Sequence, residues 1–304
     1  MTVYINLKMM GKRPINKRKM QYFRTFLLML SFTFTTYAQK VIEIPQNDRI
    51  KDFVTHLPGN LDKYHLNDLQ KSTDSLCVRI WTDNEVFTLN SNDPVQCNFK
   101  IHTNQVKPLV LERSYSVEIS RLLLDSLVSH NLLNLLDEPY RGIDGSFVFF
   151  EISTVRSYKV CSFWSPNTQG NINCKNAALI LDLIHKTLHT SDLYTEFFNT
   201  LVPGAYPWGM STIHIDRFLQ KEVHRTDFYL YAENRIRKEL NITENTSPLS
   251  FPIVLINQKP ASIVSLNQYS EKELVRFDIL KPGAESAALY GSRASNGVVI
   301  LETK

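Results

Sequence analysis

Ala288-Leu289-Tyr290-Gly291-Ser292-Arg293-Ala294-Ser295-Asn296-Gly297-Val298-Val299-Ile300-Leu301-Glu302-Thr303-Lys304 joins two glycine-marked turns to a run of β-branched and aliphatic residues. Val298-Val299-Ile300-Leu301 predicts a strand, and Asn296-Gly297 the tight turn that feeds it. Upstream, residues 284–290 read as a small-residue helical turn closed by Gly291, the one residue that takes a left-handed conformation without steric cost. Further out, Leu274-Val275-Arg276-Phe277-Asp278-Ile279-Leu280-Lys281 predicts a strand stopped by Pro282-Gly283. Ser270-Glu271-Lys272-Glu273 offers a hydroxyl N-cap with a Glu three residues on, which predicts a short helix. Pro252-Ile253-Val254-Leu255-Ile256-Asn257 contains a continuous apolar run suited to a strand buried on both faces. Residues 251–304 are therefore expected to form a compact β-α-β-α-β unit.

These pieces resemble the C-terminal half of the plug domain of TonB-dependent outer-membrane receptors, in the SusC-like form common among Bacteroidota nutrient importers. There a PLIVIDG strand leads to an IESIEVLKD strand, then to an AxAxYGSRGANGV turn and a last strand. The resemblance covers less than a fifth of the 304 residues. A plug of this family occludes a membrane barrel, whereas this sequence stops shortly after the plug's last strand. The resemblance thus implies a detached plug-like module with no membrane barrel, acting in protein contacts. Its candidate contact and turn residues are Tyr290, Gly291, Arg293, Asn296 and Gly297. The family's Asp-Gly is Asn257-Gln258 here, and its Arg-Gly-Ala-Asn-Gly is Arg293-Ala294-Ser295-Asn296-Gly297. Loss of two glycines leads us to expect loops relieved of close approach to a barrel wall. Val41-Ile42-Glu43-Ile44-Pro45 is similar to a TonB box, the extended segment that receptors lend to TonB by strand addition; an ordinary first strand or a mobile terminus is the alternative.

At the other end, Lys8, Lys12, Arg13, Lys17, Arg18, Lys19 and Arg24 precede the apolar run of residues 25–34 and the small-residue exit Thr35-Thr36-Tyr37-Ala38-Gln39. Basic start, apolar middle and small exit predict a secretory signal over 1–39, cleaved after Ala38, with Met20 as a second candidate start. The apolar run is shorter than the roughly 20 residues that span a bilayer. We therefore expect an exported protein of the periplasm or the periplasmic face of the outer membrane, with no transmembrane segment in the mature chain. The leader holds seven of the 34 bases and no acid, leaving 27 bases against 30 acids beyond it. That balance removes the basic patch a nucleic-acid partner would need.

The middle of the chain predicts an α+β domain over 40–220, with a mixed or antiparallel sheet and packed helices, then a helix and linker over 221–250. Strands are expected over 76–81, 85–90, 95–101, 147–153 and 157–164, and helices over 116–131, 176–189 and 226–240. Ile119, Leu122, Leu123 and Leu127 form the predicted apolar face of the first helix. Asn241 and Asn245 lie in sequons within the most linker-like stretch, which supports exposure. Cys77, Cys97, Cys161 and Cys174 permit two disulfides in an oxidising compartment, with proximity favouring Cys77–Cys97 and Cys161–Cys174; four buried thiols are the alternative.

Chemistry is sparse. His185 and His189, with Asp182, have the one-turn spacing of a helical zinc site, but Lys186 stands where a zincin has Glu, and a polar helix face explains them equally. Gly145-Ser146-Phe147 lacks the second glycine of a nucleophile elbow. His214 and Asp216 are an acid-base couple only if geometry joins them. The 291–297 loop lacks the Gly-Lys-Ser/Thr ending of a phosphate loop. Trp81, Trp164 and Trp208, with Tyr206 and Pro207, offer aromatic platforms or core packing. No catalytic residue, metal or cofactor is assigned. The expectation is an exported envelope protein acting in protein–protein or ligand binding, associated with outer-membrane uptake systems and partnered by an envelope protein such as an outer-membrane receptor or the TonB system. The alternative is an exported hydrolase with its site in 40–220.

Overall fold

Strand periodicity builds the larger sheet. The computed structural model describes residues 40–138 and 142–304, with the backbone alone at 285, 292 and 293, so the leader predicted over 1–39 lies outside the described residues. Strands β1 (Val41–Glu43), β2 (Leu76–Trp81), β3 (Glu85–Asn90), β4 (Gln96–His102), β5 (Val110–Ser114), β6 (Phe147–Thr154) and β7 (Ser157–Trp164) lie in the order β1-β7-β6-β2-β3-β4-β5. Pairing from β7 across to β5 is antiparallel throughout. Alternate residues of β2 divide between two cores: Leu76, Val78 and Ile80 enter one, Cys77 and Trp81 the other.

Helices cover both faces. Helix α1 (Asp48–Lys63) buries Ile50, Phe53 and Leu57 against the Cys77 side. Its Asn47 cap accepts the Ile50 N–H at 2.8 Å. Pro58 sits inside this helix, so tertiary burial overrides the local breaker. On the other side pack α2 (Val117–Ser129), α3 (Ile172–Leu188) and α4 (Thr190–Thr200), through Leu123, Leu127, Ala177, Ile180, Ile184, Leu193 and Phe197. The stripe of α2 is Ser120, Leu123 and Leu127, and Leu122 is 59% exposed, a correction to the predicted face. Residues 100° further round a helix leave the buried arc.

The hairpin of β8 (Gly204–Trp208) and β9 (Ser211–Ile215) leads into a second core. Here α5 (Asp227–Leu240) lies on a four-stranded sheet of β10 (Ile253–Ile256), β11 (Lys259–Ala261), β12 (Leu274–Leu280) and β13 (Val298–Thr303), ordered β11-β10-β13-β12. Strands β10 and β13 run parallel, and the outer pairs are antiparallel. Phe228, Tyr229, Ala232 and Ile236 of α5 meet Val254, Ile256, Val299 and Leu301. Each large apolar side chain buried this way contributes about 1.5–3 kcal/mol of gross stabilisation. The short helix α6 (Ala284–Tyr290) joins a smaller cluster on the opposite face, where Tyr290 packs with Ala294, Val298 and Ile300.

Two expectations change. The helix predicted from Ser270 is a single 3-10 turn, Glu271–Glu273, because Leu274 already enters the strand; a further 3-10 turn, Ile263–Gln268, precedes it. The Glu273 carboxylate still reaches back to the Ser270 N–H at 2.8 Å and Oγ at 2.6 Å, as the capping pattern requires. The stretch predicted as helix and linker is part of the second core. Tyr229 Oη accepts the Leu219 N–H at 2.7 Å, Pro248 O accepts the Asp216 N–H at 3.1 Å, and Ile242 is buried. Residues 42–304 accordingly form one compact unit. The fold is α+β, none of its described sheets closes into a barrel, and no helix among the described residues is long and apolar enough to cross a membrane.

Candidate functional site

Backbone geometry sets the roles of the C-terminal turn residues. Gly291 has φ 73° and ψ −169°, and Gly297 φ 95° and ψ 172°, a region that essentially glycine alone occupies. A Cβ on Gly297 would come within 2.8 Å of Leu240 Cδ2 and 3.0 Å of Leu280 O, whereas one on Gly291 would meet open space. Gly297 therefore lets α5 and β12 close on the turn. Asn296 Nδ2 donates to Leu249 O at 3.2 Å, and Tyr290 is half-buried. The side chain of Arg293 lies outside the described part. Of the five candidate contact residues, Tyr290, Asn296 and Gly297 are thus engaged in packing, and Gly291 faces outward. At the departure from the family pattern, Asn257 and Gln258 both take positive φ, 49° and 66°. The two-residue turn keeps its left-handed demand without the expected glycine.

Beside this turn a cleft of about 830 Å3 runs along β9 and the opening of the second sheet, lined among others by Thr212, His214, Asp216, Ile253, Ser295 and Asn296. Such a volume suits a small ligand or a short extended peptide. His214 and Asp216 share its wall. The Asp216 carboxylate accepts the Arg217 and Ile263 N–H groups, each at 2.8 Å. Burial pushes this carboxyl up to about 6, against the opposing pull of those two donors. Asp216 thereby ties β9 to the second sheet, and its oxygens are turned to backbone. No family model, curated protein or solved structure matches this chain. Function must therefore be argued from its own residues.

The larger sheet holds two acid-centred clusters that sequence reading missed. Glu85, buried at the start of β3, accepts His185 Nε2–H of α3 at 3.1 Å and the Tyr194 hydroxyl of α4. Burial pushes the Glu85 carboxyl up, but His185, Tyr194 and Thr82 outweigh it and leave it below the usual range. The same hydrogen bond raises His185 above its ordinary value, against burial. The second acid, Glu151, is 0% exposed and accepts Trp81 Nε1–H at 2.6 Å and the Tyr158 hydroxyl at 2.9 Å. Arg79 approaches it at 3.6 Å, and Arg79 Nη1 has no hydrogen-bond partner. Burial raises Glu151, with Arg79 opposing. Period-two alternation was the available signal: Glu85 shares a face with Phe87 and Leu89, and Glu151 with Phe149.

The helical histidines do not form a metal site. His189 ends α3 at φ 50°, His185 turns to Glu85, and Asp182 pairs with Lys186 at 2.8 Å. No group of three ligand-type side chains that could hold a metal occurs among the described residues. The disulfide expectation is corrected to four free, buried thiols. Cys77 pairs across β2–β3 with Asn90, and Cys97 across β3–β4 with Leu89. They lie two strands apart on opposite faces, beyond the roughly 7 Å limit for bridging. Cys161 Sγ donates to Leu135 O at 3.3 Å, while Cys174 Sγ accepts from Asn171 Nδ2 at 3.2 Å. The tryptophans pack inward. Trp81 is buried, Trp208 contacts Phe197 and Phe198, and Trp164 fills the space that a Cβ on Gly142 or Gly145 would need. Tyr206 donates to Val202 O at 2.8 Å, and Pro207 pairs with Thr212 in the hairpin. Val41–Glu43, within the segment similar to a TonB box, serves as edge strand β1 beside β7.

Proposed function

We propose that this chain is an exported cell-envelope protein that works by binding, its C-terminal module docking to an outer-membrane uptake receptor or the TonB system. The observation that carries this reading is that the segment resembling a receptor plug supplies all four strands of the second sheet, beside a cleft bordered by the Ser295-Asn296 turn. The buried, backbone-bonded state of Asp216 also favours binding over acid-base work at that wall.

A photoreactive side chain placed at exposed Leu289 or Ser295, in cells making the full chain, tests this reading. The expected adduct joins the chain to a receptor or TonB-system protein and is missing when the probe is moved to exposed Arg156 at the far sheet. No adduct, or the same adducts from all three positions, would overturn it.

A further inference from the structure

Strands β1 and β5 bound the larger sheet, β11 and β12 the second, and three of these edges are poor templates for a further strand. Strands β1 and β11 are three residues long, β11 holds Pro260, and β12 shifts register between Leu274 and Arg276. Strand β5 differs. Its pairing with β4 keeps one register, from Val110 opposite His102 to Ser114 opposite Asn98. Backbone bonds just beyond both ends fix the parity: Thr103 N–H donates to Leu109 O and Tyr115 N–H to Cys97 O, each at 3.1 Å. Odd-numbered residues of β5 therefore bond to β4, while Val110, Glu112 and Ser114 turn N–H and C=O away from the sheet. Among the described residues no group hydrogen-bonds to these outward backbone atoms. Every residue of β5 except Leu111 is exposed.

The charges of β5 do not guard it. Glu112 Oε2 meets Lys100 Nζ at 3.0 Å, and its Oε1 accepts Asn98 Nδ2–H at 2.7 Å, both from β4. Arg113, on the opposite face, donates to both carboxylate oxygens of Glu196 in α4, at 2.8 and 2.6 Å. Both side chains are thus drawn over their own sheet, which leaves the edge open. Beside it, on the Glu112 face, a groove of about 740 Å3 runs between the end of α1 and the β4–β5 loop. Its ionised lining is Lys63, Lys100 and Lys107 against Asp62 and Glu112. Lys100 and Glu112 satisfy each other, whereas neither Lys63 nor Lys107 meets a carboxylate among the described residues, so the surplus is positive.

We propose that β5 accepts an extended segment of a partner protein by strand addition, and that this segment carries an acidic side chain toward Lys63 and Lys107. The added strand exchanges backbone bonds with Val110, Glu112 and Ser114, and its alternate residues hang over the groove. Charge selects the partner. A second copy of this chain is a poor match, because the two-fold antiparallel register that engages every outward residue sets Glu112 against Glu112. An acid opposite Val110 on a foreign strand is clear of Glu112 and beside the loop that carries Lys107, where the groove concentrates the lysine field. This edge belongs to the sheet that the C-terminal module does not enter, so the inference stands apart from the function proposed above.

Fluorescence anisotropy of the full chain with the labelled peptide TVTVDVT tests the pairing. Antiparallel addition with its aspartate opposite Val110 sets threonines opposite Glu112 and Ser114. The expected result is saturable binding, roughly tenfold tighter than that of TVTVKVT, with the preference lost in Lys107→Glu. Glu112→Pro should abolish binding of TVTVDVT even though it leaves Lys100 without its carboxylate, because it removes an outward N–H that no described group accepts. Its thermal melt should stay near native. If the melt falls, TVTVDVT N-methylated at the aspartate and the threonines reads the same backbone pairing on the native chain and should fail to bind. No binding of TVTVDVT up to about 1 mM overturns the proposal. So does equal affinity for the two peptides, a preference that Lys107→Glu leaves intact, or binding that survives either the proline or the N-methyl groups. A native chain that dimerises in sedimentation and ceases to do so in Glu112→Pro would put a second copy on the edge and overturn it as well.

Discussion

At the scale of single residues, Gly291 and Gly297 are alike in sequence context and unlike in consequence. Both occupy glycine-only backbone, so Gly291→Ala should cost about 1–3 kcal/mol. Gly297→Ala adds overlap with Leu240 and the Leu280 carbonyl, and overpacking costs about 1–3 kcal/mol more. Chemical denaturation of the two variants should rank them in that order, and equal losses would mean that α5 can retreat. Asp216 makes a pH prediction. Because its folded-state carboxyl is raised to about 6, its contribution to stability is fully present below the unfolded value near 4 and is lost as pH rises through 6. The difference is about 3 kcal/mol. In Asp216→Asn the fall in stability between pH 4 and 7 should flatten by that order, as read from urea midpoints at each pH. An unchanged slope would show that another group sets it.

At the scale of elements, Pro58 interrupts the hydrogen-bond ladder of α1. Pro58→Ala should restore it and raise stability by about 1–3 kcal/mol, measurable as a higher urea midpoint; a loss would mean that the proline ring itself packs usefully. This helix also marks the limit of legibility. Strands 76–81 and 85–90 and the helix capped by Thr226 could be read directly, since alternation and cap chemistry are local. Helix α1 hides behind Pro58 and Gly59 and forms because Ile50, Phe53 and Leu57 find a sheet assembled from residues far downstream. The candidate site divides in the same way. The glycine turn was readable from composition. The Glu85–His185–Tyr194 cluster joins residues as much as 109 positions apart, and no local pattern encodes that meeting.

At the scale of the whole molecule, the module that resembles a plug begins well before the resemblance does. Its core includes Phe218, Tyr229 and Ile236, and Asp216 anchors it through Ile263. Residues 251–304 made alone should therefore lack a cooperative thermal transition, whereas residues 216–304 should show one by circular dichroism. A cooperative melt of the shorter piece would place the boundary back at 251. The same core makes deletion after residue 250 a poor probe of binding, because it strips α5 of its sheet and leaves Phe228 and Tyr229 bare.

The central position of β13 also has a bearing on biosynthesis. It is encoded downstream of every other strand in its sheet, yet both β10 and β12 hydrogen-bond to it. As the polypeptide emerges vectorially, the apolar side of α5 has only part of its cover, from Val254, Ile256, Ile263 and Leu266, until residues 298–303 arrive. Over that interval the nascent chain presents sticky surface of the kind that chaperones hold, and a prematurely terminated product would retain it permanently.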